Sequence, residues 1–527
     1  MNQELTLTVE RVMACPPEKR AQAIIETDNP AEIVQALSAQ EAYLVIKDAW
    51  EGDGRLLLPY VPAEKLPAFL DLDCWAAEGL NLENLLEWLW ALADISLEHL
   101  ASAVAELDLE ITVMLFDHHL TVETVSPVDD NVPDLLAAGF ETIDDVFFFR
   151  FHDEVPENEL LKRLLKELYA SNPQLYRTIM YSAGGESQAG LEEEAFQQRR
   201  LRLTELGFVP AEEALFVYRR QKPTRILAAE LDERLVPRCD SGPWRLPAVY
   251  RPAELSLLGQ TLVAVDAAQR ERLGFELVYL VNKLIMADFK PLNSSEELGA
   301  AVAKAVGLTG IGLAEAARIK GLEPAAVLAG LNVEQLFSLG YNLILEEQQR
   351  CKQLGLDREL LPEAERELVE GLLRKRPRFG TRDFAGPDDL DSLRAALGRL
   401  EALKRLTADL AWQACDFKAT NLGGSEGLDL ENLALTMLAL NALGAGDGFR
   451  PLTPAEFRRF AELIIADGQI KAGFAVDLTA LIEARGVDRD VARALAARLS
   501  ERLASELGGL DLTQAEPRFV TAVAIAG

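Results

Sequence analysis

Apolar residues recur every three or four positions along most of this chain, the spacing that lines one face of an α-helix. The segment AEIVQALSAQEAYLVIKDAW follows a break at Asn29-Pro30, VPAEKLPAFLDL begins at Val61, and SLEHLASAVAEL begins at Ser96. Each has a Pro, Ser or Asn start, an early Glu and then apolar residues in helical period, which are helix-start signals. The starts recur at intervals of roughly 20–40 residues, the range of helical solenoids. Laid out at about 100° per residue, Leu82, Leu85, Leu86, Leu89 and Ala93 share one face. Trp88 and Leu92 flank that face on one side and Trp90 on the other, leaving Glu83, Asn84, Glu87 and Ala91 as a narrow polar strip. An apolar arc of about 200° is wider than a surface helix needs. It predicts burial on both flanks, with the two tryptophans packing on two neighbouring helices.

The period changes at ETIDDVFFFRFHDE (Glu141–Glu154), whose aromatic and β-branched residues suit a strand. No second clear strand lies nearby, so an extended connector is the alternative. Helical period returns at Glu157. The segment LEEEAFQQRRLRLTELGF places Glu192, Glu193 and Glu194 at its start and Arg199, Arg200 and Arg202 near its end, which complements the helix dipole, with Gly207 as the stop. Gln221–Pro252 carries five prolines and little period. The pattern predicts a mostly α fold with at most a small β element near 141–154. Its expected parts are an acidic helical-repeat, solenoid-like domain over 1–125, a connector strand plus helices over 126–222, and a Pro-rich linker or ordered loop over 223–262. A helical domain over 263–450 and a C-terminal helical region over 451–527 follow.

Length and charge sharpen this picture. At 527 residues the chain is too long for one core and suggests roughly three or four domains. Of the formal net charge of −32, residues 1–150 hold −22, with 29 Asp+Glu against 7 Lys+Arg. Nucleic acid would be repelled by that segment. A basic protein partner, bound divalent cations, or simple solubility fit it. The five cysteines share no CxxC spacing, which argues against a disulfide framework and a structural zinc site. The first residues lack a signal-peptide core. No window approaches the roughly 18–20 apolar residues of a membrane helix, so the expected location is the cytoplasm.

Candidate chemistry is sparse. In ITVMLFDHHL an apolar run ends in Asp117-His118-His119, which resembles the metal-binding DHH motif of a phosphoesterase superfamily, with Asp71 and Asp73 upstream. Imidazoles and carboxylates suit Mn²⁺ or a similar ion. Here, however, the Asp-x-Asp precedes Cys74-Trp75 in helical surroundings, and Asp117–His119 also reads as the solvated end of a helix. GLTGIGLAEAARIKG has three glycines before a helix but neither GxGxxG order nor a P-loop lysine, so a helix connection is expected. Asn282, within YLVNKLIM, is expected as a buried, hydrogen-bonded core residue. RKRPRFGTR (Arg374–Arg382) is a short basic patch.

NPAEIVQALSAQEAYLVIKDAW, FLDLDCWAAEGLNLENLLEWLWAL, LEEEAFQQRRLRLTELGFVPAEEALFVYRR and EPRFVTAVA resemble a bacterial family of uncharacterised proteins, domain of unknown function 6178. The resemblance covers nearly the whole chain, and Asp71–Trp75 with the following Glu-Trp-Leu is its most specific part. It brings no activity and no functional residue with it. The first ~125 residues are also similar to the acidic helical N-domain of MgtE-type magnesium transporters, which implies cation sensing but not transport. The reading is therefore a non-enzymatic helical scaffold or regulatory interaction protein, with Asp71, Asp73 and Trp75 either as the seam of a core or as a docking spot for a protein partner. The alternatives are a metal-dependent hydrolase built on Asp117, His118 and His119, and a Mg²⁺-responsive sensor. No cofactor is implied beyond such a cation.

Overall fold

The computed structural model describes residues 3–527 apart from 77–78, 126–131, 154, 184–187, 229–245, 291, 446–448, 467–468, 472 and 509–518. It is 69 % helical with small sheets of two or three strands, which is the mostly α class. By compactness the chain divides into two units. The first comprises 1–219, 229–306 and 322–335, and the second 220–228, 307–321 and 336–527.

In the first unit the helix starts follow local capping chemistry. Ser38 and Glu41 form a reciprocal capping box at Ala39–Asp48, Asn81 caps Leu82–Ala93, and Ser96 caps Leu97–Ala105. The helices between Gln3 and His119 are 7 to 12 residues long and are interrupted by 3-10 turns and a hairpin, β1 (Trp75–Ala76) with β2 (Gly79–Leu80). A repeating solenoid over 1–125 is not confirmed by this arrangement.

The wide apolar arc of Leu82–Ala93 is present but rotated. Leu85, Leu86, Trp88, Leu89, Ala91 and Leu92 are buried. Trp88, expected on a flank, is only 1 % exposed, while Trp90 is partly exposed. The cause is an aromatic nest around Trp88, whose ring lies 4.5 Å from Trp50, 5.7 Å from Phe69 and 6.3 Å from Tyr43.

The small β element is a three-stranded antiparallel sheet in the order β3 (Leu120–Thr124), β5 (Phe147–Phe151), β4 (Glu141–Thr142). Leu120 pairs with Phe151 and Thr124 with Phe147. The strand near 141–154 thus has the partner that the sequence did not reveal. Leu120–Thr124 runs on directly from a helix and reads as its continuation.

Within 223–262, the described residues form short helical pieces, and Tyr250 is fully buried. Its hydroxyl lies 2.7 Å from Asn282 Oδ1 and 3.0 Å from the Gln40 amide oxygen. One hydroxyl proton serves one of these oxygens. Turning the Gln40 amide over would let its Nε2, otherwise buried without a partner, donate to Tyr250. Asn282 is the buried, hydrogen-bonded core residue expected, and its Nδ2 donates to Leu206 O at 2.8 Å.

The second unit contains a close helix crossing. Gly307 and Gly312 lie inside the helix Ser295–Lys320 rather than before a helix, which corrects the expected connection. A Cβ on Gly312 would stand 1.9 Å from Leu336 O, and one on Gly340, in Val333–Leu354, 2.0 Å from Leu308 O. Only hydrogen fits at this contact. Leu430–Ala442 is buried throughout Leu430–Leu440, including Glu431, which pairs with Arg502. Ser295–Lys320 is long and apolar enough to cross a membrane, contrary to the expectation that no segment is, but 67 % of its apolar window is buried inside the protein, as in a core helix.

Candidate functional site

Asp71 and Asp73 stand two residues apart at the end of Leu66–Asp73. Two residues on a helix turn through about 200°, so their side chains diverge and enter separate networks. Asp73, with a side chain 5 % exposed, accepts from Tyr43 Oη (3.0 Å), Lys47 Nζ (2.7 Å) and Trp88 Nε1 (2.8 Å). Its backbone carbonyl accepts from Asn84 Nδ2 at 2.9 Å.

Asp71 is fully buried and receives the Arg202 guanidinium at 2.7 and 2.9 Å. The same guanidinium donates to both oxygens of Asp108 at 2.7 Å, and Arg199 Nε donates to Asp71 O at 3.0 Å. Burial opposes the Arg202 charge, but the bonds to Asp71 and Asp108 prevail and hold it above its ordinary range. Trp75 lies under the Arg199 guanidinium at 5.2 Å and beside the exposed Phe196 ring at 6.1 Å. Its indole nitrogen is buried with no partner. Both carboxylates proposed for docking are therefore committed inward, and Trp75 alone of the three sits at an aromatic patch with exposure.

Arg199 and Arg202, the partners of Asp71 and Trp75, were not evident as such in the sequence. The available signal was their spacing of three, which puts both on one helix face.

Asp117, His118 and His119 close the helix Leu109–His119, the alternative weighed from the sequence. His119 Nδ1 is 2.8 Å from Leu115 O, and His152 Nδ1 is 3.1 Å from His118 O. Asp108, tied through Arg202 to Asp71, begins that same helix. Its two ends are about 15 Å apart at ~1.5 Å per residue, so Asp71 and the two histidines cannot share an ion. Among the described residues no three His, Cys, Asp or Glu side chains are grouped to hold a metal. The Cys74 and Cys351 thiols are pushed up by burial, which disfavours thiolate chemistry, and Cys239 lies outside the described residues. Arg378 and Arg382 of the basic patch pair with Asp383 and Asp389.

The buried acids set a pH dependence. Burial raises the carboxyls of Asp71, Glu276 and Asp429 above the ordinary range. Each binds its proton more tightly folded than unfolded, so stability grows as pH falls from neutrality through the raised values. In the opposite sense, Arg450 and Thr453 hold the Glu456 carboxyl down to about 2, and that contribution is lost progressively as the pH falls from the ordinary glutamate range through that value. The melting midpoint is expected to rise as the pH is lowered from about 8 toward the raised values. Differential scanning calorimetry checks it, and an equal or lower midpoint at the lower pH contradicts it.

Fold and site together define a predominantly helical protein of two compact units whose distinctive acidic residues serve as internal ties. The chain belongs to the family of unknown function DUF6178, whose description matches residues 1–526. No curated protein and no solved structure matches it. The likeness of the first ~125 residues to the magnesium-transporter N-domain is not shown by these comparisons.

Proposed function

We propose that this protein is a non-catalytic interaction scaffold that docks a basic protein on the acidic surface of its first unit. The observation that carries this reading is the division of charge. The first unit holds 54 Asp+Glu against 24 Lys+Arg, a net of −30, whereas the second holds 31 against 29, a net of −2. Three of the seven cations within residues 1–150 are turned inward, Lys47 to Asp73, Lys65 to the carbonyls of Val34, Gln35 and Leu37, and Arg20 to Cys15 O and Ser295 Oγ, whereas Arg11, Lys19, Arg55 and Arg150 are exposed. Meanwhile Glu18, Glu32, Glu51, Asp53, Glu64 and Glu83 are exposed. A surface of one sign speeds encounter with a partner of the other and falls off steeply with salt.

Pull-down from lysate at low salt and at about 0.5 M salt tests the proposal. Captured proteins should be basic, should be released by salt, and should be lost from a variant carrying Glu51→Lys, Asp53→Lys and Glu64→Lys together. Capture indifferent to both changes overturns it.

A further inference from the structure

The last residues of the chain are held in the second unit as a peptide ligand is held. Residues 524–527 run alongside Ala419–Asn421 on one side and Leu452 on the other, after a bend at Ala522–Val523. Thr420 bridges Ala526 antiparallel, and Leu452 bridges Ile525 in parallel. Leu452 N donates to Ala524 O at 2.8 Å, Ala526 N to Leu452 O at 2.7 Å, and Gly527 N to Ala419 O at 2.7 Å.

Asn421 N also donates to Ile525 O at 3.0 Å, and side chains outside the segment add to these backbone bonds. Asn421 Oδ1 accepts from Ile525 N at 2.7 Å, and its Nδ2 donates to Val523 O at 2.8 Å and to Val520 O. Thr436 Oγ1 accepts from Ala524 N at 2.8 Å. The Glu506 carboxylate accepts from Thr521 N, Thr521 Oγ1 and Ala522 N at 2.6–2.8 Å. A strand inside a sheet takes its bonds from neighbouring backbones. Here the Asn421 amide, the Thr436 hydroxyl and the Glu506 carboxylate add to such bonds, mostly on the backbone of the segment and once on the Thr521 hydroxyl, as in grooves that capture peptides. Selectivity comes from depth: Ala522, Val523, Ala524 and Ile525 are wholly buried, so the floor admits only small or β-branched side chains there.

We infer that this groove is a peptide-binding site, occupied in cis by the chain's own residues 520–527, and that it accepts the same segment from a second copy when the cis segment is displaced. The test uses the full chain carrying Ala524→Arg, which expels the cis segment, and a fluorescein-labelled peptide FVTAVAIAG. Saturable binding by anisotropy is expected, at least 10-fold weaker when Asn421→Ala is added, and at least 100-fold weaker for the unsubstituted chain with its groove filled. A peptide carrying the same Ala-to-Arg change should not bind. A folded Ala524→Arg protein that ignores the peptide overturns the inference. So does one that is unfolded and is not restored by excess peptide, because the segment is then inseparable from the core.

Discussion

Gly312→Ala is expected to lower the stability of the second unit by about 3 kcal/mol, a loss of roughly 6–12 °C in its melting midpoint. The added methyl would stand 1.9 Å from Leu336 O, 2.8 Å from Leu336 C and 3.0 Å from Gly340 N. All three are backbone atoms, so no side-chain rotation relieves the clash and the helices must separate. Separation forfeits close packing along the crossing, which protein interiors replace poorly. Alanine's helix propensity works the other way, by about 1 kcal/mol, and is outweighed. Gly299 provides the control, since it lies in the same helix, is exposed, and has open space where its Cβ would go. Gly299→Ala should stabilise by about 0.5–1 kcal/mol. Thermal unfolding of the two variants side by side decides the matter. If both shift the midpoint alike, the crossing is not sterically limited.

Asp73→Ala is expected to cost about 3–5 kcal/mol, because it removes the shared acceptor of three donors in a nearly closed site. Tyr43, Lys47 and Trp88 would each lose a bond of 3.0 Å or shorter. The indole, only 1 % exposed, has no route to water without opening the aromatic nest. Asp73→Asn keeps the shape and one acceptor oxygen but leaves Lys47 without its counter-charge, so an intermediate loss of about 1–3 kcal/mol is expected. Chemical denaturation followed by tryptophan fluorescence gives both values. A loss below about 1 kcal/mol for Asp73→Ala would mean that the three donors find other partners at little cost.

Some of this was legible in the chain. The helix start at Ser96 follows from a short-range bond between its hydroxyl and the His99 amide, a signal visible in the sequence, whereas the start at Ser38 lies inside a segment whose pattern reads as beginning at Asn29-Pro30. The burial of Asn282 was likewise readable, since an uncharged polar residue in an apolar helical run must be satisfied inside. The rotation of Leu82–Ala93 toward Trp88 was not readable. Periodicity gives the width of an apolar face, but its centre is set by Tyr43, Trp50, Phe69 and Asp73, which arrive from other elements. Asp71 and Asp73 were singled out as unusual, and they are, yet their roles depend on Arg202, 131 positions away from Asp71, and on Lys47, 26 positions from Asp73.

By itself the sequence determined the mostly helical class, the family, and the concentration of negative charge toward the N-terminus, because period, motif and composition are properties of neighbouring or summed residues. Only the tertiary structure decided that the paired aspartates face inward, that Gly312 serves a helix crossing rather than a loop, and that the apolar C-terminal residues fill a groove gripped by Asn421, Thr436 and Glu506. Each of these depends on which distant backbone or side chain approaches within a hydrogen-bond or contact distance, and no local pattern encodes that distance.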